Sequence, residues 1–166
     1  MTFQTPARVA GTHLDVFETE VLRLMAQQQY AEAYLLLERL TNPSLSNLYN
    51  LALCLYFSKE YSTCLLFLAK AQAKLPSYSL RHTRISPLGQ KVLHQHLDQA
   101  TYLHAVSEVY CTHFPNILQE SILRLRIDCL LRLARWKELI ETASQLKYKS
   151  YSQVLQAVAE AQKKRV

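Results

Sequence analysis

The stretch Tyr30-Ala31-Glu32-Ala33-Tyr34-Leu35-Leu36-Leu37-Glu38-Arg39-Leu40 lies over Tyr61-Ser62-Thr63-Cys64-Leu65-Leu66-Phe67-Leu68-Ala69-Lys70-Ala71 when the chain is shifted against itself by 31 residues. In both copies an aromatic residue is followed at +3 by a small residue, at +7 by Leu and at +10 by an apolar residue. Steps of three and four place these side chains on one stripe, so each copy predicts a helix with one buried edge. A weaker third copy begins at Trp136 and continues through Leu139, Ala143 and Leu146. Self-similarity at such a period marks stacked supersecondary units.

Working outward, the middle copy has a partner before it. Leu48, Leu51, Ala52 and Leu55 recur at helical spacing, a short Ser58-Lys59-Glu60 link follows, and Pro76 ends the unit. So short a link forces two antiparallel helices, and the small Ala52 and Cys64 let them approach closely. Composition agrees. Of 166 residues, 49% are hydrophobic and 19% charged, enough for one core and too apolar for disorder. Only Gly11 and Gly89 are glycine, which excludes a turn-rich sheet protein and a glycine-rich phosphate loop.

The unit resembles the tetratricopeptide repeat, a 34-residue helix–turn–helix. With Pro76 as its final proline, the unit runs from Leu45 to about Tyr78. Leu48 falls where the family prefers Trp, and Leu51, Ala52 and Leu55 fall on its Leu, Gly/Ala and Tyr positions. Tyr61, Cys64, Leu68, Ala71 and Pro76 match its Tyr, Ala, Phe, Ala and Pro positions. The resemblance implies an α-solenoid whose first helices line a concave groove for extended or helical peptides. In this unit the groove would offer Ser46, Tyr49, Leu53 and Tyr56. Tyr49 and Leu53 stand where the family's carboxylate-clamp members carry Lys and Asn, so this unit would lack the clamp. The rings equally suit packing against a neighbouring helix.

From Tyr61 to Trp136 is 75 residues, seven more than two ideal repeats, which predicts a distorted or replaced unit between them. Ser77 to Gly89 reads as a long exposed loop. Leu93, Leu97, Ala100, Leu103, Ser107 and Tyr110 mark one face of a helix from about Gln90 to His113, stopped by Phe114-Pro115. Further helices are predicted over 14–27, 30–41, 45–58, 60–74, 118–134, 136–147 and 150–164, the last with Ser150 as its N-cap. The expected architecture is therefore one all-α domain over residues 1–166. It is an α-solenoid-like stack of antiparallel hairpins with about seven helices, its first dozen residues flexible.

The net charge is +6, all of it in residues 77–166, where thirteen basic groups face seven acidic ones. Such a half suits an acidic partner surface, or merely a solvated face. The start of the chain lacks the apolar core of a signal peptide, and the apolar run Leu48–Phe57 is too short to cross a bilayer. Cys54, Cys64, Cys111 and Cys129 form no Cys-x-x-Cys pair and sit inside helical patterns. They predict reduced, buried thiols in the cytoplasm or another reducing compartment, the nucleus included.

No catalytic constellation stands out, and no cofactor or metal is expected. His94-Gln95-His96-Leu97-Asp98 resembles the metal-binding opening of the metallo-β-lactamase family. On a helix, though, His96 lies about 200° from His94 and cannot join it and Asp98. Cys111 and His113 point apart, so no thiolate–base pair forms. Arg124, Arg132 and Arg135 fall within about 80° of one another around Asp128, giving either a phosphate- or carboxylate-binding patch or a solvated face with an Asp128–Arg132 pair. Arg81 and Arg84 add a basic loop that suits docking, with Ser86 as a possible phosphorylation site, or is simply a surface loop.

These features point to a non-catalytic protein-binding module, an adaptor or subunit of a larger assembly, with its guest in the Tyr-rich groove. A self-associating scaffold or secretion-type chaperone is the first alternative, although class II type III secretion chaperones tend to be acidic. Nucleic-acid binding through the basic half ranks below it, because few aromatics interleave with the arginines.

Overall fold

The computed structural model describes residues 12–77, 86–96 and 99–164. Among them the regular structure is all helical: α1 (Thr12–Ala26), α2 (Tyr30–Leu37), α3 (Leu45–Phe57), α4 (Tyr61–Lys74), α5 (Pro87–His96), α6 (Glu108–His113), α7 (Pro115–Arg132), α8 (Trp136–Ser144) and α9 (Ser152–Lys164). Two 3₁₀ turns, Leu75–Ser77 and Ala100–Leu103, complete the set. Of the expected flexible start over residues 1–12, residues 1–11 lie outside the described residues and Thr12 opens α1; Arg81, Arg84, Asp98 and the side chains of His94 and His96 also lie outside them.

Three of the helix–helix links are built alike. Gln28, Lys59 and Ala134 have φ of 60°, 64° and 54°. In each link the left-handed residue donates its N–H to the carbonyl three residues back, and the next residue donates to the carbonyl five back (Lys59 to Tyr56, Glu60 to Leu55). This closes the helix in a Schellman motif, which satisfies two of its last carbonyls and turns the chain sharply. The carbonyls of Gln29, Glu60 and Arg135 then accept the first amide bond of the following helix, from Ala33, Cys64 and Leu139. The copy at Trp136 is thus a full structural copy. Its small and large residues have exchanged places, Leu139 standing where Ala33 and Cys64 stand and Ala143 where Leu37 and Leu68 stand, and all six are buried. Total volume survives such an exchange, so the hairpin closes.

The three hairpins are α1–α2, α3–α4 and α7–α8, and each packs on the next. α4 lies directly against α7, with no repeat unit between them. The interval thus holds α5, the Ala100–Leu103 turn and α6 in place of a repeat hairpin, the replaced unit that the spacing allows. One repeat step of 31 separates the first two hairpins, and the step to the third carries 44 extra residues. Cys64 and Cys129 meet at the α4–α7 seam, their sulfurs 3.4 Å apart. α9 closes the far end against α7 and α8.

α7 is the shared wall. Leu118, Ile122, Leu125 and Cys129 belong to the core of the first two hairpins, while Leu123, Ile127 and Leu130 belong to that of α8 and α9. Burying a Leu or Ile contributes about 1.5–3 kcal/mol, so this one helix ties the two cores together.

Between α4 and α7 the predicted helix over 90–113 does not form as one piece. Gln99, His104 and Ser107 are extended, and Ser107 caps α6 by accepting the Tyr110 amide at 3.0 Å instead of continuing a helical face. The predicted loop over 77–89 is also shorter than expected, since Pro87 opens α5 and Ser86 Oγ accepts the Gly89 amide at 3.1 Å.

Candidate functional site

Where the resemblance implies an open groove along α3, another part of the chain is seated against α3 and α7. Residues 99–107, the strap, cross α3 and α7 on this face. Tyr49, fully buried, donates its hydroxyl to the Tyr102 carbonyl at 2.5 Å. Asn50, 1% exposed, turns its carboxamide on Val106, donating to the carbonyl and accepting the amide, both at 2.9 Å. Ser46 donates to Glu108 at 2.8 Å just past the strap.

Ser46, Tyr49 and Leu53 are accordingly buried, and the expectation that they line an open groove is corrected. Only Tyr56 keeps partial exposure, its hydroxyl donating to Asp128 at 3.3 Å. The correction has a physical cause. The Asn50 carboxamide, as both donor and acceptor, and the Tyr49 hydroxyl, as donor, take the strap's backbone groups, which outcompetes the local helical bonds that the apolar periodicity alone predicts.

On the other wall Glu120, Arg124 and Asp128 stand at i, i+4 and i+8 of α7, all three buried. The Arg124 guanidinium lies between the rings of Tyr102 and Tyr151, 4.2 Å from each centroid, and donates to the Gln99 carbonyl at 3.2 Å. Asp128 accepts the Tyr102 hydroxyl at 2.6 Å and a bond from Gln153. Glu120 accepts the Lys147 and Tyr148 amides at 2.9 and 3.2 Å and the Tyr151 hydroxyl at 3.2 Å, which fixes the turn into α9. Burial, reinforced by the Asp128 hydrogen bond, pushes the Tyr102 hydroxyl well above its usual range, and burial does the same to Tyr49, Tyr56 and Tyr151. All four therefore stay neutral donors at physiological pH.

The predicted basic patch does not assemble. Arg124 is a core residue, whereas Arg132 and Arg135 are exposed, Arg135 paired with Glu138 at 2.6 Å. Asp128 spends its acceptors on Tyr102, Tyr56 and Gln153 rather than on the expected Arg132. On α7, Leu118, Ile122, Leu123, Leu125, Ile127 and Leu130 cover about 200° of the helix and leave Glu120, Arg124 and Asp128 together on the remaining face, and nothing nearby in the sequence says that this face is covered.

Two hollows border the strap. One, of about 510 Å³, lies toward α7 and is lined by Arg124, Tyr151, Tyr110 and the strap residues Thr101 and Val106 among others. The other, of about 670 Å³, lies toward the first hairpin, between Leu22, Met25, Tyr30 and Phe57 on one side and Leu103, His104 and Ala105 on the other.

Burial pushes Cys54 and Cys111 up to about 12, and the hydrogen bond shared with Cys129, together with burial, raises Cys64 as well. Among the described residues no cluster of three His, Cys, Asp or Glu could hold a metal ion, and no helix is long and apolar enough to cross a membrane.

Fold and site define a class: an all-α stack of helical hairpins in which polar side chains of α3 and α7 hold a segment of the same chain. No protein-family model matches the chain, and comparison with curated proteins and solved structures yields no match either.

Proposed function

We propose that this chain is a non-catalytic protein-binding module of tetratricopeptide-like build, an adaptor or assembly subunit whose inner face takes a segment of polypeptide. The observation that carries the reading is Asn50, a buried carboxamide bonded to both the amide and the carbonyl of Val106. A carboxamide placed this way reads backbone, which every peptide has, and so does not depend on the side chain it meets. Tyr49 adds a second backbone contact, and Arg124 with Asp128 reads one aromatic hydroxyl side chain. Four unbridged cysteines suit a reducing compartment.

The test replaces residues 99–107 with a Gly/Ser linker of equal length and titrates in a synthetic peptide with the sequence of residues 99–109, followed by calorimetry. Saturable one-to-one binding, weakened at least tenfold by Asn50→Ala in the same background, is expected. A strap-replaced chain that still melts cooperatively but binds nothing would refute the groove reading.

A further inference from the structure

Of the strap's nine side chains only Tyr102 and Val106 are buried; Leu103 and Ala105 pack half-buried against the core, while Gln99, Ala100, Thr101 and His104 are exposed. Its backbone is fastened through Tyr49, Asn50 and Arg124. Hollows of about 510 and 670 Å³ run along its two edges, so the face between α1, α3 and α7 is wider than the segment that fills it. α5, just upstream, carries Leu88 and Val92 largely in solvent and so does little to press the strap down.

A segment with two buried anchors, several side-chain-to-backbone ties and empty space on both flanks is built to leave without dissolving the helices beneath it. Tyr49 and Asn50 sit on α3, and Arg124 and Asp128 on α7. Tyr49 is also a core residue, but the rest of the packing of these helices in the hairpin stack runs through residues other than those four. Local opening of this kind falls below global unfolding in free energy wherever few apolar contacts are lost.

We infer that the strap is a built-in competitor that occupies the groove until a partner segment of the same chemistry displaces it. This rests on the groove reading above. The occupant is a length of polypeptide carrying a tyrosine and, four residues later, a small apolar residue whose amide and carbonyl face Asn50. The tyrosine ring slides under the Arg124 guanidinium with its hydroxyl on Asp128, as Tyr102 does. Being tethered, the strap competes at an effective concentration on the order of millimolar, so only a segment that outbids that concentration enters. The hollows let such a guest be bulkier than the strap, for instance by filling the slot beside Tyr30 and Phe57.

Two measurements test this on the full chain. In native-state hydrogen exchange the Val106 amide should exchange at least tenfold faster than the core amides of α3 and α7, through opening that leaves both helices protected. Exchange of all three at one common rate would mean that the strap opens only when everything unfolds, and would overturn the inference. In the second, the labelled 99–109 peptide is titrated into the unmodified chain and into Tyr102→Ala, with Val106→Pro as the substitute should Tyr102→Ala lose its cooperative melt. The weakened-strap chain should bind at least tenfold tighter than the unmodified one. Equal binding to both, with binding to the strap-replaced chain retained, would remove the competitor and leave the groove reading standing. Failure of all three chains to bind would remove both.

Discussion

Replacing Asn50 with Ala probes the central contact most directly. The substitution strips two hydrogen bonds of 2.9 Å and leaves the Val106 amide and carbonyl facing a methyl group. A buried backbone group left unsatisfied costs about 1–3 kcal/mol, so two of them bound the loss at about 2–6 kcal/mol. The lower part of that range applies, because Val106 borders the 510 Å³ hollow and water can enter there to meet the abandoned groups. About 2–3 kcal/mol is expected, which for a chain of this size lowers Tm by about 4–12 °C. Asn50→Asp sharpens the point. It keeps an acceptor for the Val106 amide but sets a second oxygen against the Val106 carbonyl, so it should cost at least as much as Ala. Urea unfolding followed by helical circular dichroism gives both values. In the strap-replaced chain the same Asn50→Ala change should cost under about 0.5 kcal/mol, because its partner is gone. A loss under about 0.5 kcal/mol in the unmodified chain, or an equal loss in both backgrounds, would refute the assigned role.

The left-handed links make a second prediction: Ala134→Gly and Lys59→Gly should each stabilise by about 0.5–1 kcal/mol, since both positions hold φ near 60° at a steric cost that glycine lacks. Calorimetry showing no rise in Tm for either would mean that the strain is absorbed elsewhere. A third concerns pH. Cys54 and Cys111 titrate near 9 when unfolded and near 12 when folded, so their contribution is intact below pH 9 and drains away as pH climbs toward 12. The buried tyrosines, raised from 10, add to the loss above pH 10. Urea midpoints should therefore be level from pH 7 to 9 and fall steadily above it, and a midpoint unchanged at pH 11 would contradict the burial of these groups.

How much of this was readable in advance depends on whether the deciding forces were local. The spacing Tyr61, Cys64, Leu68, Ala71 placed α4 within a residue of its observed start, and the Ser58-Lys59-Glu60 link was read as a tight antiparallel turn, as it is. A helical stripe and a short link act between near neighbours in the chain, so their energetics can be estimated from the residues alone. The stretch 90–113 went the other way. Its apolar period was real, yet Asn50 and Tyr49, more than fifty residues upstream, supply better partners for its backbone than a further helical turn would. Tyr49, which by sequence suits either a groove anchor or a ring packed on a neighbour, is undecided for the same reason. On the first helix of a hairpin its ring points to the inner face, and nothing near it in sequence says that residues 99–107 return to cover that face. Its replacement by Ala, which would suit an exposed anchor, here cuts a fully buried ring out of the core.

Composition and the 31-residue self-similarity were thus sufficient for an all-helical chain of paired rods, because hydrophobic periodicity and turn length act over one or two helical turns. Which rods lie side by side, that α4 meets α7 across a 44-residue excursion, that Glu120, Arg124 and Asp128 are core groups, and that the groove holds part of its own chain were settled only by the packed molecule. Those outcomes depend on partners brought together from distant positions, where the cost of burying a charge or an amide is met or not met by whatever arrives opposite it.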